Sequence, residues 1–166
     1  MSKFAKFSFW ACVTTFVIVA SLSAGGAETC PAAATCPAAK EGGDANCGGE
    51  WKPLFNGKDL AGWQNARDSK AQNNWGIEDG ALTNFKTGHD GNDIATVDTF
   101  KDFCLKLEYK TVKDGNSGVY LRGRVEVQVL DSFGKTPGKG DDGAIYDQFA
   151  PLVNASKPVG EWNQLE

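Results

Sequence analysis

The sequence predicts an all-β domain, a sandwich or barrel of short strands, preceded by an export leader. Three observations predict it. Apolar residues alternate with polar ones in short runs, glycine-containing turn signals separate the runs at regular spacing, and no segment carries a helical period of useful length. Composition agrees, since 20 glycines and 10 phenylalanines in 166 residues suit many turns and an aromatic-rich β core. With 41% apolar and 23% charged residues the chain is globular rather than disordered. A net charge of −4 without any basic stripe argues against a nucleic-acid partner, because neutralising phosphates needs clustered Lys and Arg.

The first element is not part of the domain. Lys3 and Lys6 give a positive start, residues 7–20 are almost continuously apolar, and Ser21, Ser23, Ala24, Gly25, Gly26 and Ala27 are small. That order is a secretory signal peptide, with cleavage expected after Ala27. A retained anchor is the alternative, but the apolar run falls short of the roughly 20 residues that span a bilayer. No stable membrane insertion is therefore expected after cleavage, and the chain is expected to be secreted or periplasmic. A lipoprotein fits poorly, since Glu28 lies close before Cys30.

Residues 28–49 are rich in Ala, Gly and Pro, lack a hydrophobic period, and read as a flexible linker. Cys30, Cys36 and Cys47 lie in it, and Cys12 lies in the leader. A disulfide-closed tether in an oxidising compartment is the favoured reading over metal binding or thiol attachment, because no CxxC occurs and His89 is distant. Cys104 falls in a strand and is expected as a small core residue.

The domain itself runs over residues 50–166. Trp51 to Trp63 spaces apolar anchors around the turn signal Asn56-Gly57. Residues 74–82 alternate, turn at Asp79-Gly80 and resume, which is a hairpin signature. A short strand follows within residues 93–100. Over residues 103–112, Phe103, Leu105, Leu107 and Tyr109 share one face, and Cys104, Lys106, Glu108 and Lys110 the other. Residues 114–118 are expected to turn, with strands over 119–122 and 125–130.

The last two strands carry the most information. A two-residue loop at Gly123-Arg124 would set Glu126 beside Leu121. A three-residue loop over 123–125 would pair Arg122 with Glu126 and Tyr120 with Gln128, separating polar from apolar residues. Register follows the hydrophobic pattern, so the three-residue loop is expected, with Gly123 or a neighbour in unusual dihedrals. The result is a polar patch of Tyr120, Arg122, Glu126 and Gln128. It reads equally as a solvated face with a cross-strand ion pair or as the floor of a sugar cleft, which needs planar donors and acceptors with an aromatic face.

A resemblance separates these readings. Leu54-Phe-Asn-Gly-Lys-Asp-Leu-Ala-Gly-Trp63, Trp75-Gly-Ile-Glu-Asp-Gly80, Gly115-Asn-Ser-Gly-Val-Tyr-Leu-Arg122, Glu126-Val-Gln-Val-Leu-Asp131, Gly143-Ala-Ile-Tyr146 and Asn154-Ala-Ser-Lys-Pro-Val-Gly-Glu-Trp-Asn163 occur in that order. Together they resemble the 3-keto-disaccharide hydrolase domain, from about Trp51 to the last residue. The resemblance implies a concanavalin A-like jelly-roll sandwich of two antiparallel sheets, one of them concave and carrying the site. It also implies export in glycan-degrading bacteria and cleavage of glycosides whose sugar is a ketone at carbon 3. In the family, further strands follow the motif at Glu161, so the domain is expected to be incomplete at its C-terminus.

A 3-keto group acidifies the proton on carbon 2, and the resulting enolate can expel the substituent on carbon 1. That chemistry needs a base, a group for the enolate oxygen and an acid for the leaving oxygen. With the resemblance, Glu126 is expected as the base, Arg122 as the enolate stabiliser and Gln128 as a hydroxyl-orienting group. Tyr120, Asp131, Tyr146 and Asn154 are the expected substrate contacts. No cofactor is firmly implied. A divalent metal in place of Arg122 is the alternative, and His89 and Asp90 with Asp93 offer ligand types, although a lone His in a glycine loop is more often simply solvated. An ordinary retaining glycosidase needs two close carboxylates, and laminarinase-type enzymes place acidic residues at every second position of one strand. Here the positions after Glu126 are Gln128 and Leu130, which argues against that mechanism. A non-catalytic carbohydrate-binding module is the remaining alternative.

Overall fold

The computed structural model describes residues 14–15, 21–23, 51–85, 92–100 and 103–166. The expected leader and linker otherwise lie outside the described residues, as do His89 and Asp90. Among the described residues there are eleven strands: β1 (Thr14–Thr15), β2 (Ser21–Ser23), β3 (Trp51–Pro53), β4 (Trp63–Asn65), β5 (Trp75–Glu78), β6 (Ala81–Asn84), β7 (Ile94–Thr96), β8 (Cys104–Lys110), β9 (Asn116–Leu121), β10 (Val125–Leu130) and β11 (Trp162–Leu165). Every pairing is antiparallel, in the orders β1-β6-β5, β11-β8-β2-β3, β4-β7 and β10-β9. No helix occurs among the described residues. The all-β antiparallel architecture expected of a jelly-roll sandwich is therefore present.

Local chemistry accounts for the turns. At the β5–β6 hairpin, Asp79 and Gly80 both take positive φ, 51° and 76°, the requirement of the primed turn that matches strand twist. Before β4, the Asn56 side chain accepts the backbone N–H groups of Lys58 and Asp59, and the Trp63 indole then donates to Leu54 O at 2.8 Å. The alternation read in β8 holds, with Leu105, Leu107 and Tyr109 buried and their neighbours half-buried. These side chains join Phe55, Trp63, Trp75, Leu82, Ile94, Val119 and Val129 in one core. Cys104 differs from expectation. It lies half-buried on the other face of β8 and is disulfide-bonded, so it is not a free core thiol.

Two expectations around the last hairpin are corrected. The turn before β9 ends at Gly115, and Asn116, Ser117 and Gly118 belong to the strand. Asp114 absorbs the reversal at φ 56°, Gly115 N–H donates to Val112 O, and the Asp131 carboxylate accepts Asp114 N–H at 3.0 Å. The β9–β10 loop has the expected three residues but begins one residue earlier, at Arg122. The register is Leu121 to Val125, Tyr120 to Glu126 and Gly118 to Gln128. Arg122 therefore does not pair with Glu126, nor Tyr120 with Gln128. The cause is the turn: Arg122 and Gly123 both take positive φ, 56° and 62°, and Arg124 N–H returns to Leu121 O. A shift of two in the pairing sum keeps the faces intact, so polar and apolar residues remain separated.

Candidate functional site

Val119 and Val129 point into the core, so Gly118, Tyr120, Glu126 and Gln128 share the opposite face of the hairpin. Tyr120 and Glu126 are direct cross-strand partners, and the Tyr120 hydroxyl donates to Glu126 Oε2 at 2.7 Å. Burial raises the Glu126 carboxyl above its ordinary value. The hydrogen bond from Tyr120 works against that rise, and the negative charge of Asp93 adds to it. Tyr120 is also pushed up, first by burial, then by its bond to Glu126 and the charges of Glu126 and Asp93. Its hydroxyl thus stays protonated through the physiological range. The patch thus holds a hydrogen-bonded phenol and carboxyl, with the carboxyl perturbed by burial.

The far edge of β10 is covered by the segment before and through Tyr146. Gln128 N–H donates to Ala144 O, Gly143 N–H to Gln128 O, and Tyr146 N–H to Glu126 O, all between 2.9 and 3.0 Å. This short ladder sets Tyr146 beside the Tyr120–Glu126 pair, where it adds to the electrostatic surroundings of Tyr120. The Tyr146 ring is 47% exposed, which leaves an aromatic surface available at the rim. Gln128 is buried, and its amide donates to Asn116 Oδ1 at 3.2 Å and Gly140 O at 3.3 Å. It ties the loop around Gly140 to the sheet beneath Glu126.

The segment is anchored from below by Asp142. This buried carboxylate accepts the Tyr109 hydroxyl at 2.6 Å, Leu130 N–H at 3.0 Å and the Ser156 hydroxyl at 3.0 Å. Burial raises its pKa, while the bonds from Tyr109, Leu130 and Ser156 lower it.

The other expected site residues take different places. Asp131 lies five residues along from Glu126, roughly 16 Å at strand rise, and its carboxylate accepts Asp114 N–H. Asn154 donates to Ser132 O and Lys135 O at 2.6 and 2.8 Å and accepts Ser156 N–H. Both brace loops at the distant end of β10. Arg122 is exposed on the hairpin turn. Asp93, read in the sequence only as a metal ligand type, is the residue that joins the site unannounced. No set of three metal-ligating side chains occurs among the described residues. A cavity of about 800 Å³ lies on the apolar face, walled by Leu105, Leu121, Val127, Ile145 and Leu165. It is on the reverse of the hairpin from Glu126. No helix among the described residues is long and apolar enough to cross a membrane.

Residues 50–166 match the family described as the 3-keto-alpha-glucoside-1,2-lyase-like domain. The chain is also similar to a 3-keto-disaccharide hydrolase of Bacteroides thetaiotaomicron, 31% identical over 145 residues, covering 68% of this chain and 50% of that protein. The chain thus spans about half the length of that relative. No solved structure matches the chain. With a family match over most of its length, this chain belongs to the 3-keto-alpha-glucoside-1,2-lyase-like domain family.

Proposed function

We propose that this chain is part of an exported hydrolase that acts on 3-keto glycosides and disaccharides by elimination followed by hydration. The observation that carries the reading is the half-buried Glu126, raised in pKa and bonded to a protonated Tyr120 across the hairpin. A general base works best when its pKa approaches the operating pH, and burial moves Glu126 in that direction.

In this mechanism Glu126 takes the proton from carbon 2. The C–H electrons form the carbon 2–carbon 3 double bond and the ketone becomes an enolate. Arg122, on the turn two residues beyond Tyr120, is assigned the enolate oxygen. The enolate collapses, the bond from carbon 1 to its substituent breaks, and the proton held by Glu126, with Tyr120 as its hydrogen-bonded partner, goes to the leaving oxygen. Water then adds across the carbon 1–carbon 2 double bond, so the net change is glycoside plus water to 3-keto sugar plus alcohol. Tyr146 offers its exposed ring to a sugar face, and the buried Gln128 holds the Gly140 loop against the sheet.

The test is release of a chromophore from a 3-keto-glucoside by the full-length protein, beside the unoxidised glucoside. Release from the keto substrate alone, lowered roughly 10²–10⁴-fold by Glu126→Gln, is the expected result. Equal turnover by Glu126→Gln refutes the base assignment. Loss of activity with a chelator replaces Arg122 by a metal, and binding of the keto sugar without turnover replaces catalysis by a carbohydrate-binding role.

A further inference from the structure

Gly118 stands in the middle of β9, directly across from Gln128, in an ordinary strand conformation. A glycine inside a strand weakens it and marks close approach by another group. Here that group is Glu126. A Cβ placed on Gly118 would come 2.1 Å from Glu126 Oε1 and 2.8 Å from both its Cδ and its Cγ. The glutamate side chain therefore lies along the diagonal of the hairpin, flat on the bare backbone of Gly118, instead of standing off the sheet. Its other oxygen, Oε2, receives the Tyr120 hydroxyl. The carboxylate is held between a seat with no side chain and a hydroxyl donor.

We propose that Gly118 is a positioning residue: its missing side chain is the seat that holds the Glu126 carboxylate down beside Tyr120, in the geometry from which it acts. The catalytic consequence rests on the reading of Glu126 as the base. The seat itself does not.

Gly118→Ala tests both. The strand conformation accepts alanine, and the three atoms nearest the added Cβ all belong to Glu126. The carboxylate must rotate outward, breaking its bond to Tyr120 and regaining water. Turnover of the keto substrate falls roughly 10–100-fold, as expected for a reacting group displaced by about 1 Å, while KM changes little. The acid limb of the rate profile moves to lower pH, because the burial that raised Glu126 is lost. A merely structural glycine would move neither ratio nor limb.

A thermal double-mutant cycle decides the seat without any turnover. Gly118→Ala lowers Tm by roughly 4–8 °C in the wild-type background. In a Glu126→Ala background the same change is neutral or raises Tm, since the clash is gone and alanine suits a strand interior better than glycine. Equal losses in the two backgrounds overturn the proposal, as does a folded Gly118→Ala protein with wild-type turnover and an unmoved acid limb. If the wild-type protein turned over no keto glycoside, the base reading would fall, and the cycle would still report on the seat.

Discussion

Asp142→Ala should unfasten the loop that presents Tyr146. The side chain accepts three donors, the Tyr109 hydroxyl, Leu130 N–H and the Ser156 hydroxyl, at 2.6 to 3.0 Å. Removing it leaves these donors without an acceptor, at about 1–3 kcal/mol each where water cannot replace it. Relief of a buried, desolvated carboxylate offsets part of that sum. The expected net loss is about 3 kcal/mol, a large share of a typical 5–15 kcal/mol domain stability. Urea unfolding followed by tryptophan fluorescence measures it, and Tm should fall by roughly 10–15 °C. Tyr109→Phe alone, which deletes one charge-assisted bond, should cost about 2 kcal/mol. The double variant should be scarcely worse than Asp142→Ala, because both changes act on one bond. The pH dependence has a definite sign. Burial holds the folded-state pKa of Asp142 above its unfolded value, so its contribution is fully present below the unfolded pKa and is lost as pH rises through the folded one. The gap between wild type and Asp142→Ala should therefore widen toward acid pH. An Asp142→Ala protein within about 0.5 kcal/mol of wild type, the range of an inert surface change, would refute the anchoring role.

Further outcomes follow from the same contacts. Tyr120→Phe removes the bond that lowers the Glu126 pKa and leaves burial and Asp93 in force, so the acid limb of the rate profile should move to higher pH; a shift to lower pH contradicts the assignment. Asn154→Ala loses two bonds to loop carbonyls and should lower stability by about 1–2 kcal/mol without moving that limb, as read by thermal unfolding beside a pH–rate profile. Arg122→Ala should lower kcat more than it raises KM if the guanidinium meets the enolate oxygen; a change in KM alone would assign it to ordinary substrate binding.

Much of the fold is legible because local rules act on adjacent residues. The Asp79-Gly80 turn, the alternation of β8 and the limits of β10 all follow from side-chain period and turn chemistry. The β9–β10 register is half legible. Faces are fixed by the valines and leucines, but the starting point of the loop depends on Arg122 entering positive φ, a conformation that residue type disfavours. Asp131 and Asn154 show a second boundary. Polar residues in loops brace backbone as readily as they meet ligands, and only the folded hydrogen bonds separate the two. Asp93 and the ladder from Gly143 to Tyr146 reach the site through pairings distant in sequence, which no local pattern announces. The disulfide at Cys104 is equally non-local.

The proposed function turns on removal of the proton from carbon 2 of a 3-keto sugar by Glu126. It is tested most directly by comparing substrates carrying hydrogen or deuterium at carbon 2, with the full-length protein, under conditions where chemistry limits turnover. Slower cleavage of the deuterated substrate and loss of turnover in Glu126→Gln are expected. Equal rates for the two substrates, together with cleavage of the unoxidised glycoside, would contradict it.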